Sequence, residues 1–274
     1  MRTKYLLIGL IIMILAGCKK ETQPNNPAPP PPQNPPVLLK EIVIPNLPSP
    51  YYHFEYDATG KPSFVSFASD FTRYDIVYDG GRISELRNNI LVNKDTVRYH
   101  YDNAGRAVGV DYIDLTGTVY IKVSLTYSGQ QLISLERKRL LGPDFVVNKT
   151  MTFSYYADGN LKEIVDHRPA VNGQQPESTS IDRFEQYDNK INVDAFGLLH
   201  NDFFDHLVLL PGIQLQKNNP GKETFTSDGL NFTVDYTYTY NDKNLPLNKK
   251  GDLLFTSGPD AGQHFEINTF YSYY

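Results

Sequence analysis

The sequence predicts an all-β protein, a long, twisted antiparallel meander of hairpins with one short inserted α-helix near residues 195–210. Three observations carry that prediction. Aromatic residues alternate with polar ones in short runs: Tyr52, Phe54, Tyr56; Tyr74, Ile76, Tyr78; Val97, Tyr99, Tyr101; and Tyr236, Tyr238, Tyr240. Such period-two runs are strands with one aromatic face. Most of them end in turn residues rich in Asp, Asn and Gly. Helical spacing shows once, in Phe196, Leu199, Phe203, Leu207 and Leu210, behind a candidate N-cap at Asp194 and ahead of Pro211-Gly212.

The chain begins "MRTKYLLIGLIIMILAGC", with cations at Arg2 and Lys4, an apolar run from Tyr5 to Ala16, and then Leu15-Ala16-Gly17-Cys18. The run is shorter than a membrane span of about 20 residues and reads as a signal peptide over residues 1–17. Small residues ahead of a cysteine resemble the bacterial lipobox, which implies cleavage before Cys18 and its acylation. Cys18 is the only cysteine, so no internal disulfide can form and lipidation accounts for the thiol. Multiple acyl chains on one residue give stable anchoring. The expected partner is thus a membrane, met through Cys18, with a location in the cell envelope as an outer-membrane lipoprotein; the periplasmic and surface faces both stay open.

Residues 18–50 read as the lipidated cysteine and a Pro-rich linker. Pro24 to Pro50 holds 11 of the 19 prolines, and such composition favours an extended polyproline rod. The apolar piece "VLLKEIVI", Val37 to Ile44, interrupts the rod as a candidate strand. Without residues 1–17 the chain has 24 basic against 31 acidic residues, a net charge of −7. Nucleic acid is excluded as a partner on that ground, because its binders need clustered cations.

Residues 51–274 read as one β-sheet domain containing 19 of the 20 tyrosines. A phrase recurs, "FEYDATGK", "IVYDGGRI", "YHYDNAGR", "LTYSGQQL", "FSYYADGN", "EQYDNKIN" and "YTYNDKNL", anchored on Tyr56, Tyr78, Tyr101, Tyr127, Tyr155, Tyr187 and Tyr240. Spacings of 22, 23, 26, 28, 32 and 53 residues exclude a strict solenoid and suit hairpins with variable far loops. Asp57, Asp79, Asp102 and Asp188 are placed to accept backbone N–H bonds in Asx-turns. Gly60, Gly105 and Gly159 are placed to supply a positive φ. After the turns come apolar pairs three apart (Ile83 and Leu86, Leu132 and Leu135, Leu161 and Ile164, Ala107 and Val110): either the first of each caps the turn, or a bulge shifts the register by one residue just inside the strand.

The phrase Tyr-Asp-x-x-Gly-Arg, complete only at Tyr101 to Arg106, resembles the YD (RHS-type) repeat. That family forms curved antiparallel sheets and, in long arrays, closed shells; seven degenerate copies are too few for a shell. The domain is also similar to a YD-repeat-like family of anchored lipoproteins of unknown function in the Bacteroidota. The matching residues are Tyr187 to Asn192, Asn218-Asn219-Pro220 and Tyr238 to Asn241, with a departure at Val193-Asp194, where Pro-Phe is expected. The resemblance supplies no catalytic residue.

In "HNDFFDH", Asp202 and His206 stand four apart, the spacing of two ligands on one helix face, with His167 or His264 as further donors; zinc needs three or four. Carboxylate pairs Asp111/Asp114 and Glu136/Asp144 are the glycosidase candidates, a reading that requires about 5–9 Å between them in space. The chain carries no nucleophile, zincin or phosphate-loop motif, and no cofactor, metal or catalytic residue is assigned. Tyrosine abundance without tryptophan points to a binding or interaction module for a glycan or envelope protein. The alternatives are a structural envelope lipoprotein and, third, a carbohydrate-active or metal-dependent enzyme.

Overall fold

The computed structural model describes residues 37–90, 94–200, 209–210 and 212–274. These hold sixteen strands: β1 Leu39–Val43, β2 Tyr52–Tyr56, β3 Pro62–Phe67, β4 Thr72–Asp79, β5 Arg82–Asn88, β6 Thr96–Tyr101, β7 Ala107–Ile113 and β8 Val119–Ser128, followed by β9 Gln131–Leu141, β10 Asp144–Tyr155, β11 Leu161–Arg168, β12 Ser178–Glu185, β13 Lys222–Ser227, β14 Asn231–Tyr240, β15 Pro246–Phe255 and β16 His264–Tyr273. Each pairs antiparallel with its sequence neighbour. β1 lies between β2 and β16, so the sheet closes into a barrel.

Closure corrects the expected open meander. The strand that achieves it comes from "VLLKEIVI", inside the span read as linker: Ile42 sits opposite both Tyr271 of β16 and Tyr52 of β2. A closed sheet has no unpaired edge, which removes the exposed row of N–H and C=O groups an open meander leaves at each side. Curvature has a local source too. The register shifts by one residue at Tyr56, Tyr78, Tyr101, Tyr127, Tyr155 and Tyr240, one bulge beside each turn, and bulges add twist and bend.

The expected α-helix near 195–210 is also corrected. A single 3-10 turn, Ala195–Leu199, occupies its start, and Leu209 and Leu210 are not helical. Phe203, Leu207 and the Asp202/His206 pair lie outside the described residues, as do residues 1–36 with Cys18. The helical periodicity misleads because the described apolar residues of this segment pack on the inner face of the barrel and not along one side of a helix. Phe196 packs edge-on against Tyr52 and Phe54 at 5.0 and 5.3 Å, and Leu199 and Leu210 are buried.

Side chains alternate across the wall in one sense. Val65, Tyr74, Leu86, Val97, Tyr99, Val110, Val123 and Met151 face inward and are buried. Arg73, Asp75, Arg98, His100, Lys122 and Glu185 face outward into water. Outer-face charges pair across strands, Arg98 with Glu85 at 2.9 Å, His100 with Asp111 at 2.8 Å and Arg183 with Glu163 at 2.7 Å, and along β5, Arg87 with Glu85 at 2.7 Å. A barrel that spans a membrane carries the inverse pattern, an apolar outer band around a polar lumen, and each lipid-facing Arg or Lys at the midplane costs about 2–4 kcal/mol. This wall is built for water outside and a packed interior.

Candidate functional site

The turns at residues 57–61, 80–81, 102–106, 129–130, 156–160 and 241–245 gather at one end of the barrel, and their chemistry is shared. Asp57 Oδ1 accepts the Thr59 N–H at 2.8 Å, the Thr59 hydroxyl at 2.7 Å and the Lys61 N–H at 3.0 Å. Asp102 accepts the Arg106 N–H at 2.9 Å and its Nε–H at 2.8 Å. These bonds hold both carboxyls below the usual aspartate range. Gly60, Gly105 and Gly159 adopt φ of 81°, 84° and 87°, and Asn244 fills the equivalent place at 59°. At the opposite end, Asp114 and Gly117 repeat the same turn after a bulge at Ile113. The tyrosine pattern does not mark it, because Ile113 stands directly before Asp114 where the phrase has Tyr.

The tyrosine of the phrase joins one hairpin to the one before. From Tyr78 to Tyr187 the hydroxyl reaches the carbonyl of the residue just before the preceding hairpin's bulge. Tyr56 donates to the Leu39 carbonyl at 2.8 Å, Tyr78 to Pro62 at 2.7 Å, Tyr101 to Ile83 at 2.6 Å, Tyr127 to Ala107 at 2.7 Å, Tyr155 to Leu132 at 2.7 Å and Tyr187 to Leu161 at 2.6 Å. Tyr240 departs from the series and donates to the Asp188 carboxylate. Burial pushes the Tyr56 and Tyr127 hydroxyls up to about 12, so they remain donors at neutral pH.

The described parts of the connection between β12 and β13 fold back into the barrel as a plug. Asn160, in the β10–β11 turn, accepts the Lys217 and Asn218 N–H groups at 3.0 Å each through its side-chain oxygen. Asp188 accepts the Asn219 N–H at 3.1 Å, and Lys190 donates to Asn244 at 2.8 Å. Deeper inside, Tyr271 donates to Asp194 at 2.6 Å, the Tyr52 hydroxyl meets His200 Nδ1 at 2.9 Å, and Tyr99 accepts the Leu209 N–H at 3.1 Å.

At the turn end the plug is tied to the hairpins of β10 to β15. Beside the first three hairpins a chamber of about 540 Å³ remains. Tyr56, Tyr78, Tyr101 and Ile83 form its wall, Phe196, Leu209 and Leu210 come from the plug, and Val37 and Leu39 from the start of the barrel. Lys61 and Arg82 supply its charged groups. A smaller cavity of about 220 Å³, between the plug and β13 to β16, is lined by Asp194, Glu223 and Lys249 among others.

The sequence-derived enzymatic candidates do not assemble here. Asp111 is engaged by His100 on the outer wall, Asp114 by its own turn, and Glu136 by Lys138 at 3.1 Å. His167 meets Thr179, and His264 meets Asp252 at 2.9 Å, both on outward faces.

No protein-family model and no curated protein matches the chain. Among solved structures, it is similar to a porin-like protein from Bacteroides vulgatus, with a TM-score of 0.56 at 15% identity over 87% of this chain and 99% of that one. A porin-like protein from Bacteroides uniformis gives 0.56 at 12% identity over 87% and 95%. What is shared is the fold. That shared closed barrel corrects the YD-repeat assignment made from Tyr101 to Arg106. The phrase specifies a bulged hairpin with an Asx-turn, a local solution that a closed barrel uses as readily as an open repeat array.

Proposed function

We propose that the chain is a non-catalytic binding module of the cell envelope, tethered through acylated Cys18, that holds a small ligand with an apolar body in the chamber at its turn end. The observation that carries this reading is the chamber itself. Its volume lies in the range of small-molecule sites, about 300–1,000 Å³, and its lining is largely aromatic and aliphatic. That lining favours an apolar body over a glycan, which needs more polar partners.

Chemistry finds little support there. The hydroxyls of Tyr56, Tyr78 and Tyr101 are committed to backbone carbonyls, and Asp102 is spent on its turn. Asp182, whose carboxyl burial pushes up to about 7, stands on β12 and does not line the chamber. A water-facing wall fits a protein held at the membrane by lipid and not by its strands.

The chain has no tryptophan, so Val193→Trp both fills the chamber and reports from it. The full chain carrying Cys18→Ala is expected to bind Nile red saturably at one site, and adding Val193→Trp is expected to abolish binding with the melting temperature unchanged. Equal dye binding by both proteins ends the chamber reading. Acylation is tested separately: a fatty-acid analogue is expected to label the wild type and not Cys18→Ala.

A further inference from the structure

A cation follows the turn in each of the first three hairpins, Lys61 and Arg106 after Tyr-Asp-x-x-Gly and Arg82 after the shorter Tyr-Asp-Gly-Gly, and each lies over the tyrosine of the following hairpin. Lys61 Nζ stands 5.5 Å from the Tyr78 ring centre, Arg82 Cζ 5.5 Å from Tyr101, and Arg106 Cζ 5.2 Å from Tyr127. Their electrostatic surroundings differ. Arg106 is neutralised by Asp102 at 2.7 Å, donates to the Gly129 carbonyl at 2.6 Å, and stands outside the chamber. Lys61 and Arg82 line the chamber, and neither is within ion-pairing distance of a carboxylate among the described residues.

Arg82 is also held in place. A Cβ at Gly105 would stand 3.0 Å from Arg82 Nη2, so the guanidinium lies along a bare stretch of backbone on one side and the Tyr101 ring on the other. Held this way, the planar fork loses less freedom on binding a planar or tetrahedral anion. Asp57, in the same turn, offsets part of the Lys61 charge without contacting its ammonium, and two cations with no contact ion pair beside an apolar cavity are complementary to a molecule with one charged end.

We infer that the chamber receives a single-chain anionic amphiphile, its apolar body against Tyr56, Ile83, Phe196 and Leu210 and its anionic head between Lys61 and Arg82. The inference rests on the chamber reading given above and adds the charge and shape of the ligand. One apolar chain suits the cavity volume, and an anion would meet two cations that, among the described residues, form no ion pair within 4 Å.

Calorimetric titration of the full chain carrying Cys18→Ala, which needs no competing detergent, separates the two claims. The probes are dodecanoate, dodecyl phosphate, dodecanol and dodecyltrimethylammonium, each below its micellar concentration. Dodecanoate or dodecyl phosphate is expected to bind about ten-fold more tightly than dodecanol, as a charge-assisted contact implies, and the better of the two identifies the head group. Arg82→Gln and Lys61→Gln are each expected to remove that advantage and leave dodecanol binding as it was, while Lys138→Gln on the outer wall changes neither. Melting curves check that the variants fold, and Lys61, exposed on a turn, serves if Arg82→Gln is destabilised. Equal affinity for dodecanol and the anions, or anion binding unmoved by both substitutions, overturns the anionic head while the chamber stands. Binding of none of the probes, or binding that survives Val193→Trp, overturns the chamber itself.

Discussion

The hydroxyl of Tyr101 donates to the carbonyl of Ile83, the residue beside the bulge of the preceding hairpin. Tyr101→Phe removes only that bond and is expected to lower unfolding free energy by about 1 kcal/mol, whereas Tyr101→Ala also removes a packed ring and is expected to cost about 3 kcal/mol; urea denaturation reads both. Gly105→Ala meets two penalties, a φ of 84° and a Cβ 3.0 Å from Arg82 Nη2, and is expected to cost about 1 kcal/mol or more. Asp182 behaves differently. Burial, with Glu223 and Asp166 adding like charge, pushes its carboxyl up to about 7, while an unfolded aspartate titrates near ~3.9. Between those values the folded chain holds a proton that the unfolded chain has released, so stability rises as pH falls from 7 towards 4 and is level above 7. Asp182→Asn is expected to flatten that slope and raise the melting temperature at pH 8. The turn carboxyls Asp57 and Asp102 are lowered. Their contribution is full above the unfolded aspartate value and is lost only as pH falls through their own lower values, a separate and more acidic window.

Among the elements, the plug depends on Asn160, a buried side chain whose one oxygen serves the N–H groups of both Lys217 and Asn218. Asn160→Ala leaves those donors without a partner, at about 1–3 kcal/mol each where water cannot replace it. The expected outcome is faster amide exchange at Lys217 and Asn218, with the strands of β6 to β9 still protected. What the sequence discloses follows the range of the interactions. The turns at Gly60, Gly105 and Gly159 and the bulges beside them are built from residues within about six positions of one another, and their composition states them. The cation of the phrase is visible as a letter, but its seat over the next hairpin's tyrosine depends on inter-hairpin packing. β1 meets β16 across nearly the whole chain, so no local pattern announces closure. The stripe at Phe196, Leu199 and Leu210 announces burial correctly and the partner wrongly, since periodicity reports which residues avoid water and not whether a sheet face or a lumen receives them.

At the scale of the whole molecule, the outward charges on β4, β6 and β12 set how the protein meets a membrane. With residues 1–18 replaced by a cleavable secretory signal that lacks the lipobox, the processed chain is expected in the aqueous fraction after cell disruption, and the wild type in the membrane fraction. Retention of that non-acylated chain in membranes after carbonate washing would show strands in lipid and overturn the water-facing wall. The meeting of the ends has its own consequence. The Tyr274 N–H donates to the Leu38 carbonyl at 3.1 Å, so first and last strands run side by side and the order of strands around the ring does not require the chain to start where it does. A circular permutant that joins Tyr274 to Val37 through a short Gly-Ser bridge and opens at Gly229, in the loop between β13 and β14, keeps every strand pairing. It is expected to fold to the same barrel by its amide-exchange pattern. Its new termini stand at the end away from the chamber, so a lipid carried there would turn the molecule over on its anchor, and ligand uptake from a membrane by the two orientations would measure whether the mouth beside Val37 must face the bilayer to fill.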